Sequence, residues 1–266
     1  MDQWEKRGTS FSAVAASASV TPSRRQVRFV AQVKQDWMRF VPFMVYLAVP
    51  FSAFTLPIII RFAPGMLPTG FRGHRIQELM DHSTLTMQAT LGPDLAKVMV
   101  EKLDKCSNEI AQDSAMQFQH SILRRMVNDR ETQAQYSEIL ATLPLIRVHL
   151  NLGKFDYIDS IKMASFSRIT LPFLFPKARL IRRMSIIRQD DALLVRERFV
   201  GLSHEEIVEA CRMRQLPIPS KEEGHISDEE MLELLKEHAR FTERLAVADV
   251  PAFVLARVLK SYYVYE

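Results

Sequence analysis

The longest apolar stretch of the chain runs from Phe40 to Ile60 and carries no charged side chain. It lies between Arg39 and Arg61. At about 1.5 Å of rise per residue, a helix of this length covers about 31 Å, which matches the hydrocarbon core of a bilayer. The pattern therefore predicts a membrane-spanning helix. A buried hairpin in a soluble core is the alternative interpretation of the same residues.

Three prolines interrupt this stretch. Pro42 falls in the first turn of the predicted span, where a missing N–H is harmless, whereas Pro50 and Pro57 remove hydrogen bonds from the helix interior. Carbonyls freed in this way need another partner in lipid. We therefore expect a kinked span that packs against other protein on its proline side, with Ser52 and Thr55 as local hydrogen-bonding groups.

From residue 73 onward, apolar positions recur at helical spacing and strand-like alternation is scarce, so this part is predicted to be almost wholly α-helical. Pro93 is expected in the first turn of one helix, and Pro144 is expected to kink or divide another. One helix is expected from Ile110 to Val127. Two capping boxes, Ser203-His-Glu-Glu206 and Ser227-Asp-Glu-Glu230, each predict a helix start.

The composition fits one span and one domain of ordinary size in 266 residues. Segment boundaries are predicted at 1–33 for a polar N-terminal segment, 34–72 for the span with an interfacial exit, and 73–266 for a helical domain. The net charge of +4 permits contact with RNA or anionic lipid without requiring either. Cys106 and Cys211 have no partner at metal-binding spacing, so both are predicted to be free core thiols.

The N-terminal segment partly fits a mitochondrial targeting sequence. Residues 8–31 are rich in Ser, Thr and Ala, lack acids and contain three arginines, Arg24, Arg25 and Arg28. Asp2 and Glu5 do not fit this pattern.

The stretch from Phe40 to Phe71 contains Val-Pro-Phe twice, then Thr-Leu-Pro and Pro-Gly-Met-Leu-Pro-Thr-Gly-Phe. It resembles the signature of the LETM family, the leucine-zipper and EF-hand-containing transmembrane proteins of the mitochondrial inner membrane. The blocks from Thr170 to Leu194 and from Gly201 to Arg214 are similar to the ribosome-binding-type domain of that family. The resemblance implies one span followed by a 14-3-3-like helical domain in the matrix.

Two positions depart from the family pattern. Ala53 stands where the family commonly has an acidic residue, and Gln215 stands where it usually has glycine. An intramembrane carboxylate is by default a candidate for moving cations, so Ala53 argues against ion exchange.

Two signals for the orientation of the span disagree. Five basic residues precede the span closely and three follow it, which favours a matrix N-terminus. The resemblance implies the opposite orientation, and we follow it.

The strongest charged feature is a basic segment with no acid between Lys177 and Arg188. Helical spacing groups Arg179, Arg182 and Arg183, so their guanidinium groups are expected to contact phosphates of ribosomal RNA or lipid head groups, or a protein partner. A solvated face neutralised by nearby acids is the alternative.

The C-terminal end of the chain is an aromatic tail that contains Tyr262, Tyr263 and Tyr265. This tail is expected to dock on a neighbour or, equally, on its own domain.

Other candidate chemistry is weak. Pro219 and Lys221 would occupy the first and third ligand positions of an EF-hand loop ending at Glu230, and neither can supply a carboxylate, so no metal site is expected. Asp190-Asp191 is interpreted as a helix start. No nucleotide-binding, metalloprotease or nucleophile-elbow motif occurs in the sequence, so neither an enzyme nor a cofactor is expected.

Together these features predict a non-enzymatic protein of the mitochondrial inner membrane. Its matrix domain is expected to anchor a large assembly, either the mitochondrial ribosome or a respiratory or ATP synthase complex of which it is an accessory subunit. Other expected partners are the bilayer and bound lipids, and no small-molecule substrate is expected. The alternative is exchange of K⁺ or Ca²⁺ against H⁺, or its regulation.

Overall fold

The computed structural model describes residues 22–48, 54, 74–129, 134–169, 172–216 and 227–261. Every regular element in these ranges is helical, which confirms the all-α prediction. In chain order the α-helices are α1 Arg24–Leu47, α2 His74–Lys105, α3 Ser107–Ile110, α4 Ser114–Asn128, α5 Tyr136–Ala141, α6 Leu143–His149, α7 Tyr157–Phe166, α8 Pro176–Arg196, α9 His204–Arg214, α10 Asp228–Arg244 and α11 Val250–Ser261.

Two hydrophobic cores lie among these helices. The main core is formed by α2 to α8 with α10 and α11, and its centre includes Leu95, Met184 and Leu255, all fully buried. The smaller core lies between α9 and α10, around Cys211 and Met231. Because α10 contributes Met231 and Leu235 to the smaller core and Phe241 to the main core, this helix connects the two cores.

Local capping signals placed the helix starts correctly. Ser203 and Ser227 each accept a hydrogen bond from the backbone N–H of the glutamate three residues later, and both boxes are complete. Pro144 lies at the start of α6, so it divides the predicted helix at Thr142. The single helix expected from Ile110 to Val127 was wrong: α3 ends at Ile110, and the Asp113 side chain caps a new helix, α4.

The prediction that Pro93 opens a helix was also wrong. Pro93 lies inside α2, which continues for three further turns. Proline removes one backbone donor from a helix interior, but tertiary packing can hold the helix together around it. Here Leu95, Met99 and Leu103 are fully buried in the main core, and the helix packs against α7 and α11. This packing holds the segment after the proline in place.

The predicted span lies largely outside the described residues. Its first part continues α1, so Pro42 lies deep inside a helix that begins at Arg24, not in a first turn as predicted. Pro50, Ser52, Thr55 and Pro57 lie outside the described residues. Among the helices that are described, none is both long enough and apolar enough to cross a membrane.

Candidate functional site

A buried ionic network lies where α1, α8, α9 and α10 meet. Asp190 and Asp191 in α8 are only 6% and 3% exposed. The Arg214 side chain, fully buried, donates from Nη2 to Asp190 Oδ2 at 2.7 Å and from Nε to Asp191 Oδ1 at 2.7 Å. Arg24 donates from Nε and Nη2 to both oxygens of Asp190, at 2.8 and 3.0 Å. The Thr242 hydroxyl donates to Asp191 Oδ2 at 2.6 Å.

The interpretation of this acidic pair as a helix start was wrong, because both residues lie inside α8. The spacing of the apolar residues along α8 could have predicted that one of the two aspartates is buried. The stripe of buried positions Leu180, Met184, Ile187 and Leu194 also contains position 191, so Asp191 belongs to the buried face. Its partners lie on other helices, which no local pattern reveals.

The arginines keep these buried carboxylates charged. Burial raises the pKa of Asp190, but the hydrogen bonds and charges of Arg24 and Arg214 outweigh burial and hold that pKa below its usual value. Burial likewise raises the pKa of Asp191, but His238, Arg214 and Thr242 lower it by more, so this pKa also lies below its usual value. His238 Nδ1 lies 3.7 Å from Asp191 Oδ2, and within the described part of the chain neither of its ring nitrogens has a hydrogen-bond partner. Burial lowers the pKa of His238.

Further ion pairs attach α1 to α9. Arg25 Nε donates to Glu206 Oε1 at 2.6 Å, and Arg28 Nη2 lies 2.5 Å from Glu209 Oε1. The hydrogen bond from Arg25 is the main cause that lowers the pKa of Glu206 to about 2. The arginines that suggested a targeting signal thus bind the helical domain.

Arg183 does not belong to the exposed basic group in which the sequence placed it. It lies against α9, where Nη2 donates to the Met213 carbonyl at 2.8 Å and Nε is buried with no partner in the ranges that the structure describes. Burial lowers its pKa to about 10. Arg257 of α11 is also buried and donates to Gln215 Oε1 at 2.7 Å. Its Nε and Nη2 have no partner among the residues described here. Arg183 is therefore directed at α9 and not grouped with Arg182 on the exposed side of α8.

The other predicted basic residues of α8 are spread around the helix. Arg182 is exposed, and Arg179 is partly exposed. Lys177 Nζ lies 3.4 Å from the Gly153 carbonyl. Arg188 lines a separate cavity of about 320 Å³ beside Asp191. Of the predicted phosphate-binding set, Lys177, Arg179 and Arg182 thus lie near the start of α8, while Arg188 does not.

An exposed apolar surface, which we name the apolar tip, lies beside the start of α8. The Tyr157 hydroxyl donates to the Phe173 carbonyl and holds the loop before α8 against the start of α7. Phe175 adopts a left-handed backbone (φ 50°) and is 79% exposed, with Pro176 beginning the helix. The members of the apolar tip are Tyr157, Ile158, Phe173, Leu174 and Phe175, all more than 40% exposed. Contiguous exposed apolar groups are typical of binding surfaces.

Cys106 has neighbours that sequence spacing did not reveal. Its thiol, the Glu109 carboxylate and the His149 imidazole each place a ligand atom within 4.8 Å of the other two. His149 is 4% exposed, and its Nδ1 has no hydrogen-bond partner among the described residues. Spacing along the sequence did not bring these three residues together, while the prediction of two free thiols is confirmed for both Cys106 and Cys211.

Some predicted sites fall outside the described residues. These are Tyr262, Tyr263 and Tyr265 of the aromatic tail, and Pro219 and Lys221 of the rejected calcium loop.

The fold and the site define a class: an all-α domain with a charged interior, to which an N-terminal amphipathic helix is bound by arginines. Residues 23–251 match the family described as LETM1-like, RBD, so the chain belongs to this family. The match includes Arg24, which agrees with α1 being an integral part of the domain.

Two curated relatives match most of this chain. The chain is 24% identical over 202 residues to a protein of Drosophila melanogaster named mitochondrial proton/calcium exchanger protein, covering 73% of this chain and 19% of that protein. It is 23% identical over 196 residues to the mitochondrial LETM1 domain-containing protein mdm28 of Schizosaccharomyces pombe, covering 72% of this chain and 40% of that protein. The chain thus matches well under half the length of either relative. No solved structure matches it.

Proposed function

We propose that this protein is a non-enzymatic component of mitochondria whose helical domain anchors a large assembly at the inner membrane from the matrix side. Family membership and the mitochondrial names of both relatives support the location. The uncharged stretch from Phe40 to Ile60 supports membrane attachment, as a kinked span or in another form. The 14-3-3-like arrangement of the domain is part of this proposal.

The observation that carries the anchoring function is the apolar tip with its basic border. Phe173 and Phe175 are 52% and 79% exposed, and Lys177, Arg179 and Arg182 follow within two helical turns. Aromatic residues with arginine nearby are enriched at protein interfaces, where apolar groups supply most of the binding energy and charges fix orientation. The same surface also fits ribosomal RNA, since aromatic rings stack on bases and basic groups contact phosphate.

The test is to solubilise mitochondria in mild detergent, separate complexes by size and follow the chain. We expect comigration with a large assembly, and we expect the Phe173→Ser/Phe175→Ser variant to migrate free of it. Arg179→Gln/Arg182→Gln should weaken the association in a salt-dependent way. Arg240→Gln/Arg244→Gln removes two exposed charges from α10 and is the matched control.

The result also identifies the assembly. Comigration with ribosomal subunits makes the protein a ribosome tether, and comigration with a respiratory or ATP synthase complex makes it an accessory subunit. Migration alone, or as a small homo-oligomer, contradicts the proposal.

The alternative is exchange of K⁺ or Ca²⁺ against H⁺, or its regulation. It rests on the name of the fruit-fly relative, of which this chain matches 19%. We rank ion exchange second because Ala53 stands where an acidic residue would be a candidate for moving cations. Strong cation flux in liposomes that hold the unaltered chain would reverse this ranking, and Ala53→Glu tests whether the missing carboxylate restores transport.

A further inference from the structure

Helix α1 is amphipathic in an unusual direction: the arginines at its start face protein, and its apolar side faces outward. Arg24, Arg25 and Arg28 point at carboxylates of α8 and α9. The opposite side has an apolar stripe at helical spacing, formed by Phe29, Val33, Trp37, Phe40 and Met44, with exposures of 68%, 49%, 67%, 37% and 47%. A surface helix of a globular protein normally buries its apolar side, so this stripe needs a cover outside the domain.

We propose that a bilayer surface covers the stripe, so that α1 lies along the membrane interface between the lipid and the helical domain. This inference rests on the membrane attachment in the proposed function. The C-terminal part of α1, from Phe40 to Leu47, is itself the beginning of the uncharged stretch, so the stripe is continuous with the most lipid-compatible part of the chain. Trp and Phe on the apolar side with basic groups elsewhere are typical of interfacial helices.

The ionic network then sets the topology of the membrane segment. Arg24 precedes the uncharged stretch and Asp190 follows it, yet the two side chains are hydrogen-bonded and buried together. Both residues therefore lie on one side of the membrane, which requires an even number of crossings between them. Two crossings need about 40 apolar residues. The stretch from Phe40 to Ile60 supplies 21, and no second uncharged stretch of that length lies between it and Asp190.

It follows that Arg24 and Asp190 are not separated by a single crossing. This differs from the single crossing that the family resemblance implies. The N-terminal helix and the helical domain share one compartment.

The position of α1 is testable by fluorescence quenching. In a Trp4→Phe/Trp37→Phe background, Phe29→Trp places the only tryptophan on the apolar stripe, and Gln32→Trp places it toward the polar side as the matched control. In vesicles of phosphatidylcholine and cardiolipin with spin-labelled lipid, we expect a shallow label to quench the Phe29→Trp variant at least about threefold more than the control. A helix that runs straight into a span from Phe40 would hold position 29 about 16 Å outside the hydrocarbon, where neither variant is quenched.

The topology is tested by protease protection of a doubly tagged full chain in mitoplasts. We expect the tags at the two ends to share one fate, both cleaved or both protected. One tag cleaved and the other protected, in a chain that resists alkaline extraction, would overturn this inference and leave membrane attachment standing. Complete alkaline extraction, with no flotation on vesicles, would instead refute the membrane attachment itself.

An independent observation supports a second site. We infer that Cys106, Glu109 and His149 bind a divalent transition metal such as Zn²⁺. Cys106 and Glu109 lie one helical turn apart, and His149 at the end of α6 faces them with Nδ1 3.7 Å from Glu109 Oε2. Thiolate, carboxylate and imidazole are all zinc ligands, and three of them with one water complete a tetrahedral site. A metal would give the buried Nδ1 atom its missing partner.

Cobalt substitution tests this site. On addition of Co²⁺ to the full chain, we expect a thiolate-to-cobalt charge-transfer band at one equivalent, which Zn²⁺ displaces. Cys106→Ser should abolish the band, and Cys211→Ser, which alters the other free thiol, should keep it. Glu109 is exposed, so Glu109→Gln leaves the fold intact and should weaken binding about tenfold or more. A band that persists in Cys106→Ser, or the absence of any band in the unaltered chain, would overturn the assignment.

Discussion

Replacing Arg214 by methionine tests whether the ionic network stabilises the domain. The fully buried guanidinium contacts both carboxylates and also donates to the Ala210 carbonyl at 3.0 Å. Methionine fills part of the volume but leaves the carboxylates short of a cation. Removal of one partner from a buried ionic network costs about 3–5 kcal/mol. At a denaturant dependence of about 3 kcal/mol/M, we expect the urea midpoint to fall by about 1–1.7 M.

The pH dependence of this loss is the sharper measurement. In the unaltered chain the depressed pKa of Asp190 and Asp191 stabilises the fold above the unfolded value of about 4, and this stabilisation is lost as pH falls through the folded pKa. Without Arg214, burial is expected to raise the pKa of Asp191 above its unfolded value. The folded variant then binds more protons than its unfolded form, so acidification toward that pKa stabilises it.

We therefore expect the difference in unfolding free energy between the two proteins to shrink from pH 7 to pH 5. Arg182→Met, which removes an exposed arginine from α8, is the control and should change stability by less than about 0.5 kcal/mol. A cost below about 1 kcal/mol for Arg214→Met, or a difference that is constant across this pH range, would refute the reasoning, because it would mean that water solvates the carboxylates.

Three further predictions concern other parts of the molecule. Arg24→Met should release α1 from the domain, seen as faster amide hydrogen exchange in α1 with the main core still protected; equal loss of protection in both would contradict this. Gln215→Gly should relieve about 1 kcal/mol of strain at φ 59° but remove two side-chain hydrogen bonds, one from Arg257 and one to the Phe166 carbonyl, at about 1–2 kcal/mol each. Urea unfolding should therefore show a net loss of about 1–3 kcal/mol. Burial raises the pKa of Cys211 to about 11, so a thiol reagent at pH 8 should modify Cys106 first, as peptide mapping can show.

Local patterns predicted the parts of this structure that local physics determines. A capping box needs only residues three positions apart, and both boxes were located correctly. Helical spacing likewise predicted an all-α domain. Pro93 shows the limit of such rules, since its local preference was overridden by burial of the residues that follow it.

The site was less predictable because its contacts are long-range. Asp190 pairs with Arg24 across 166 positions and with Arg214 across 24. The charge pattern identified α8 as an important helix, but it did not show that Arg183 turns inward to the Met213 carbonyl. The proximity of Cys106 and His149 depends on how α3 meets α6, which no spacing within one helix encodes.

The separation of Arg24 from Asp190 also determines an order of events during synthesis. At about 5–20 residues per second, the 166 positions between them take about 8–33 s to translate, and for that time α1 has no carboxylate to bind. In nascent fragments that end before α8, α1 is therefore not bound to the domain, and the domain can close only after more than two thirds of the chain has been made.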